Sequence, residues 1–356
     1  MGASTDVVEY LARGRSELYR ALVDGVAARR ADRLSTGNWR ARIEDELFAP
    51  ARTSATDIHA CDSVLIKHLP AKWEFVECSP VFALGLVRAL TGLSQFEILV
   101  ASRDAELVSD AVIPLTVLAA RRFKRPFTPV TLATTHREVR LQRHTNPDFL
   151  RHFRAFSVAT LTKGGRHHVG SRAAVGDQLR FWIACIRAIV GFFGVRADIE
   201  VEVSHAAISR RLMAMAGISS DHAAAHTRLA KANPLVDRFG DALKMPLGSE
   251  DLQVLLNLVN DRNLLRPLRG WLREVLVDIS DDFADVSIGW DFSRVAGATY
   301  YNGPCYHVSV VLSGKSHVVV DGGFSDWGST LLEDRSVLTV TGGLGSEHLI
   351  SLLARA

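Results

Sequence analysis

At 356 residues, 47% of them hydrophobic, the chain is long enough to bury one large core or two ordinary ones. Its 42 basic and 39 acidic residues leave a formal charge of only +3, so no strong field selects nucleic acid or an anionic membrane surface. Cys61, Cys78, Cys185 and Cys305 lie far apart with no Cys-x-x-Cys pair, which predicts buried free thiols in a reducing compartment and excludes the usual zinc spacings.

The start, Met1 to Asp6, has neither the basic flank nor the apolar core of a signal peptide, and Asp6 breaks the myristoylation pattern. Asp6 is a candidate N-cap with Glu9 three positions on, opening a helix that runs through Leu11 to about Arg30 within an N-terminal helical segment, 1–38. From Ser63 to Val76, apolar runs broken by Pro70 and charged residues predict strands or turns, and Pro80 precedes a helical run from Val81 to Leu90. Phe96–Ala101 reads as a strand, Ala111–Arg122 as an apolar helix, and Val130–Thr135 and Phe153–Leu161 as strands. Gly176–Phe193 reads as a long amphipathic helix ended by Gly194. The most apolar stretch, Phe181–Val195, carries Arg187 and is too short to span a bilayer, so a cytoplasmic protein with no membrane partner is expected.

Asp198–Ser204 alternates with period two, the pattern of a strand with one wet face. Between Ile208 and Leu276 the composition turns helical, punctuated by Pro234, Pro246 and Pro267, which predicts a helical insertion, 208–276. Strands return at Val286–Phe292, Cys305–Leu312 and Ser316–Val320, and Gly342–Gly345 turns the chain into a final helix, Glu347–Ala354. Strands on both sides of a helical block predict an α+β fold built on a mainly antiparallel sheet flanked by helices.

Two segments carry the chemistry: Arg294-Val-Ala-Gly-Ala-Thr-Tyr-Tyr-Asn-Gly-Pro-Cys-Tyr-His-Val308 and Val318-Val-Val-Asp-Gly-Gly-Phe-Ser-Asp326. Together they resemble the paired signature of the histidyl-tRNA synthetase family, Arg-Gly-x-x-Tyr-Tyr-x-Gly followed by Gly-Gly-Arg-Tyr-Asp. The resemblance implies an amino-acid pocket lined by Gly297, Tyr300, Tyr301, Gly322 and Gly323. Ala296 and Phe324 stand where the family has arginines. His136-Arg-Glu-Val-Arg-Leu-Gln142 is similar to the family's Phe-Arg-x-Glu-Arg-Pro-Gln run, and Phe153-Arg-Ala-Phe-Ser-Val-Ala159 to its Phe-His-Gln-Phe-Gly-Val-Glu strand. By that match Arg137 is the catalytic arginine on the ATP α-phosphate, Phe153 stacks on adenine, and Arg140 and Gln142 join the nucleotide site.

Val139 and Ala159 replace two glutamates, with Glu138 next to the first. Gly343-Leu-Gly-Ser-Glu-His-Leu349 resembles the Gly-Leu-Glu-Arg-Leu segment, with His348 at the arginine that binds the γ-phosphate. Ser79-Pro-Val81 and Arg40 match the Arg-Pro-Glu and dimer-interface positions more loosely.

The resemblance implies a class II synthetase-like core in two halves, 39–207 and 277–356, and a homodimer. The sequence stops at Ala356 after its last helix, so no anticodon-reading module is expected. Losing fixed guanidinium groups from a site that stabilises a pentavalent phosphate removes about 3 kcal/mol for each donor. The expectation is therefore a degenerate, non-charging relative that binds a small ligand or regulates a partner catalytic subunit, as the ATP phosphoribosyltransferase regulatory subunit does. The alternative is an ATP- and Mg-dependent ligase that activates a non-histidine acid for a small acceptor or carrier protein. Bland readings stay open: tyrosines as core aromatics, Arg137 and Arg140 on a solvated strand face, Gly322-Gly323 in a tight hairpin. His167-His168 lacks a third ligand for a metal, and no phosphate loop, nucleophile elbow or metal helix is present.

Overall fold

The computed structural model describes residues 46–92, 98–101, 104–124, 127–141, 151–219, 233–247 and 252–356. The expected N-terminal helix, Arg40, Phe96 and Gln142 lie outside the described residues. In chain order the first elements are α1 (Ala55–Lys67), β1 (Glu74–Phe75), β2 (Val81–Ala83), α2 (Leu86–Thr91), β3 (Val100–Ala101), β4 (Ala105–Leu107) and α3 (Val112–Arg122). Then come β5 (Val130–Val139), β6 (His152–Lys163), α4 (Val169–Phe192), β7 (Asp198–His205), α5 (Ala206–Met215), α6 (Pro234–Phe239), β8 (Lys244–Pro246), α7 (Leu252–Val259) and α8 (Arg262–Pro267). The last are α9 (Arg273–Asp282), β9 (Val286–Asp291), β10 (Pro304–Leu312), β11 (Lys315–Ser325), α10 (Trp327–Leu332), β12 (Val337–Leu344) and α11 (Ser346–Leu353).

Among the described residues the strands form a nine-stranded sheet, β1-β5-β6-β12-β11-β10-β7-β9-β8, and a small sheet, β2-β4-β3. Only β1/β5 and β7/β9 pair in parallel, so the expected mainly antiparallel sheet is present. Alternation along each strand divides the sheet into two faces. On one, Ala133, Phe156, Val158, Val340 and Val308 pack with α1, α4, α9 and α11. On the other, Leu132, Ala159, Leu161 and Val337 pack against Leu115 and Ala119 of α3. Each large apolar side chain so buried contributes about 1.5–3 kcal/mol.

Several local expectations are corrected. Ser63–Lys67 ends α1 rather than forming a strand, because Ile58, Cys61, Asp62 and Leu65 bury one face at helical spacing. Val81–Leu90 splits into β2 and α2 at Gly85, whose φ of 85° breaks any continuous helix. α4 begins at Val169, seven residues before the glycine expected to open it. Lys244–Pro246, inside the helical block, adds an edge strand on β9. Gly342 and Gly343 lie in β12 rather than in a turn.

Gly322 and Gly323 are likewise interior to β11, while the hairpin turns at Ser313-Gly314. Close approach, not turn geometry, explains Gly322. A Cβ there would collide with the Tyr306 ring, and one at Gly342 would come within 2.7 Å of the Tyr306 hydroxyl. That hydroxyl donates to Gln178 Oε1 of α4 at 2.8 Å and accepts from Trp182 Nε1 at 3.2 Å, fastening the sheet to α4 between two glycines. All four cysteines are buried and free, and no helix among the described residues is long and apolar enough to cross a membrane.

Candidate functional site

The alternation of β5 decides which of the expected residues meet. Thr135 donates to Asp62 Oδ1 of α1 at 2.7 Å, and Ala133 packs in the same core. Arg137 follows them on that face, its Nη1 3.1 Å from Glu347 Oε2 of α11 and 3.0 Å from His152 Nδ1. Leu132, Thr134, His136 and Glu138 point the other way, where Glu138 Oε1 accepts the Ala111 N–H at the start of α3 at 2.9 Å. Arg137 is therefore on the face opposite Tyr300 and Tyr301, apart from the residues expected to join it in one site. A match displaced by one residue exchanges the two faces of a strand. Arg154 also faces α1, with Nε and Nη2 on Asp62 Oδ2 at 3.0 and 2.9 Å, so it does not replace a lost arginine in the cleft.

On the α3 face, two polar clusters meet at the tyrosine pair. The first joins Asp110, Glu138, Arg140, Phe153 and Tyr300. Arg140 Nη2 donates to Glu138 Oε2 at 3.1 Å, its Nε donates to the Ser109 carbonyl at 2.8 Å, and Asp110 Oδ2 is 3.8 Å away. The guanidinium lies 5.0 Å from the centre of the Phe153 ring, so the aromatic expected beneath adenine already stacks on a cation. Tyr300 donates to Asp110 Oδ2 at 2.7 Å. Burial and the nearby Asp110 carboxylate push Glu138 up to about 7, against the opposing pull of Arg140.

The second cluster centres on Asp321 of β11. Its Oδ1 accepts Arg294 Nη2 at 2.6 Å and the Tyr301 hydroxyl at 2.9 Å, while Oδ2 stands 3.7 Å from His307 Nε2. Burial alone would raise this carboxyl, yet Arg294 and His307 outweigh it and hold Asp321 well below the usual carboxylate range. Asp321 is half-exposed, with 46% of its side chain open to water, whereas Arg294 beside it is buried. The Tyr300 and Tyr301 rings cross edge to face with centres 5.0 Å apart, joining the clusters, and burial followed by Asp110 and Asp321 respectively raises their hydroxyl pKa values.

The loop carrying the tyrosines is tied at both ends. Gly297 adopts φ +72°, a region costly for a side chain, and a Cβ there would press on Arg294 and Tyr301 at 3.0–3.1 Å. Arg210 of α5 donates to the Ala298 and Tyr301 carbonyls, and Arg294 Nε to the Ala296 carbonyl at 2.9 Å. The floor beneath is made of small residues: Ala155, Ser157 and Ala159 on β6, Thr341 and Gly343 on β12, Gly323 on β11 and Cys305 on β10. Thr134, Ser325 and Thr341 have buried hydroxyls with no hydrogen-bond partner among the described residues.

Of the expected site residues, Gly297, Tyr300, Tyr301, Arg140, Phe153 and Gly323 come to this cleft. Gly322 faces Tyr306 on the other side, and His348 is half-buried in the first turn of α11, beside Glu347. Asp110, Glu138, Arg294, His307 and Asp321 also meet there, though the motif reading did not place them among the expected site residues. Two had a signal: Arg294 opens the tyrosine segment and Asp321 precedes its paired glycines. Among the described residues no group of His, Cys, Asp and Glu is arranged to hold a metal ion.

No family model and no curated protein matches the sequence. Solved structures do. An ATP phosphoribosyltransferase regulatory subunit/histidyl-tRNA synthetase from Bacillus halodurans aligns with a TM-score of 0.63 at 14% identity, over 86% of this chain and 82% of that one. A histidine–tRNA ligase subunit from Alicyclobacillus acidocaldarius aligns with a TM-score of 0.63 at 17% identity, over 86% of this chain and 95% of that one. Histidyl-tRNA synthetase from Nostoc sp. PCC 7120 aligns with a TM-score of 0.60 at 14% identity, over 87% of this chain and 74% of that one. The chain thus has the α+β fold of histidyl-tRNA synthetase and of its regulatory-subunit counterpart, a class II synthetase-like sheet flanked by helices.

Proposed function

We propose that the protein does not charge tRNA but binds a small ligand in the cleft between Asp110, Tyr300, Tyr301 and Asp321, and that occupancy of this cleft regulates a partner enzyme. The observation that carries the reading is the disposition of the guanidinium groups. Strand alternation places Arg137 on the opposite face, where it pairs with Glu347, and among the described residues Arg140 and Arg294 come to the cleft bonded to carboxylates, Arg140 to Glu138 and Arg294 to Asp321. A phosphate taking either arginine shares it with a carboxylate already in place, whose negative charge opposes transition-state stabilisation.

The Bacillus halodurans neighbour is named as a regulatory subunit of ATP phosphoribosyltransferase, which makes the catalytic subunit of that enzyme the candidate partner. The chain works as a homodimer, as its resemblance to the synthetases implies. Mixing purified protein with a catalytic ATP phosphoribosyltransferase chain tests the regulatory half: the expected result is a change in turnover that depends on this chain and on a ligand of the cleft. Unchanged turnover with no complex on a sizing column removes that partner.

The competing ligase reading has one specific support. Arg140 keeps 38% of its side chain open and lies over Phe153, so a nucleotide site would be organised around Arg140 rather than Arg137. It requires ATP and Mg and predicts activity that Arg140→Ala abolishes and Arg137→Ala leaves largely intact.

A further inference from the structure

We propose that Asp321 is the docking point for the ammonium group of a small amine ligand; this deepens, and rests on, the reading of the cleft as a ligand site. The pairing of Asp321 is one-sided. Oδ1 carries both the Arg294 and Tyr301 bonds, at 2.6 and 2.9 Å. Among the described residues Oδ2 has only His307 Nε2 as an ion-pair neighbour, at 3.7 Å, too long for a hydrogen bond. A carboxylate has about four lone-pair sites, so Oδ2 retains acceptor capacity directed away from its partners.

The burial of the two charges is unequal. The Arg294 side chain is 4% exposed and the Asp321 side chain 46%, so the cleft presents the carboxylate and hides the guanidinium behind it. A ligand entering there meets negative charge first, which favours a cation over a phosphate or carboxylate. His307 is the other titratable group facing Oδ2, and the next strand places Glu202 opposite it, itself paired to Lys244 at 2.8 Å. No second cation among the described residues is bonded to Oδ2.

The surroundings have further acceptor capacity. On the same face, Thr341 lies across from Gly323, two residues along β11 from Asp321, and its buried hydroxyl has no hydrogen-bond partner among the described residues. Gly343, the strand partner of Asp321 on β12, leaves the space beside it open: a Cβ there would find its nearest neighbours only at 3.9–4.0 Å.

The test is a thermal-shift titration of the full chain with n-butylamine, putrescine and ethanolamine. N-butylacetamide, butyrate and ATP serve as neutral and anionic comparators. Two variants accompany the wild type, Asp321→Asn and His307→Lys; the second keeps the Arg294–Asp321 pair and tethers an ammonium beside Oδ2. Saturable stabilisation by an amine and not by the acetylated analogue, weakened at least tenfold in both variants, is the expected result. If Asp321→Asn fails to fold, His307→Lys carries the test alone. Amine binding unaffected in a folded variant overturns the proposal. Stabilisation by butyrate or ATP without amine binding also overturns it, while leaving the ligand-binding reading in place; no response from any compound overturns both.

Discussion

Arg137 shows how much depends on one residue of register. The run His136–Gln142 resembles a nucleotide-binding motif well enough to assign Arg137 a catalytic role, yet alternation sends it to the α11 face. What a linear motif cannot convey is which side of the strand a position occupies, because that is set by where Leu132 and Ala133 find their cores. Arg137→Ala should therefore leave ligand-induced stabilisation unchanged while lowering stability by about 1–2 kcal/mol, since Glu347, 4% exposed, loses its guanidinium but keeps the Arg154 N–H. Denaturant unfolding with and without ligand separates the two effects. His205 supplies a pH dependence at the same scale. Burial, then Arg210, lowers its pKa to about 4, whereas the unfolded chain takes up that proton near pH 6.5. The unfolded state binds more protons in this window, so stability from this residue is complete above about 6.5 and is lost as pH falls toward 4, by up to about 3 kcal/mol. The difference in stability between wild type and His205→Gln, followed over that range, should shrink as the pH is lowered. A constant difference would assign the effect elsewhere.

Elements were legible where periodicity acts locally. Asp198–Ser204 alternates cleanly and is the body of β7; Ala111–Arg122 is α3 with its boundary moved by one residue. The failures are elements whose reason lies elsewhere in the chain. β11 extends through Gly322 and Gly323 because the Tyr306 ring needs space on one side and Cys305 approaches on the other, neither of which is visible in a Gly-Gly pair that otherwise resembles a turn. Gly322→Ala should consequently destabilise the fold far more than an ordinary strand substitution, by about 3 kcal/mol or more, because the ring it would strike is held by Gln178 and Trp182. Thermal unfolding checks this, with the open position Gly343→Ala as the mild control. Equal losses for the two would remove the close-packing explanation.

At the scale of the whole molecule, the fold class followed from strands returning after a helical block, and the paired tyrosine and glycine segments pointed to the synthetase architecture that the structural neighbours share. The strand order was not legible, since β6 and β12 become neighbours across about half the chain. The cleft depends on that order: Asp110, Glu138 and Arg140 come from the first half, Tyr300, Tyr301 and Asp321 from the second, and the Tyr300–Asp110 bond crosses between them. Its paired charges come together only when the halves do. On the proposed reading, this pairing of arginines with carboxylates is what lets the cleft bind a ligand without activating it. Amino-acid-dependent ATP–pyrophosphate exchange, run with magnesium and a panel of amino and carboxylic acids including histidine, tests this most directly. Exchange indistinguishable from background across the panel is the predicted result; exchange with any acid, abolished by Arg140→Ala, would contradict a non-activating cleft and make the protein a ligase.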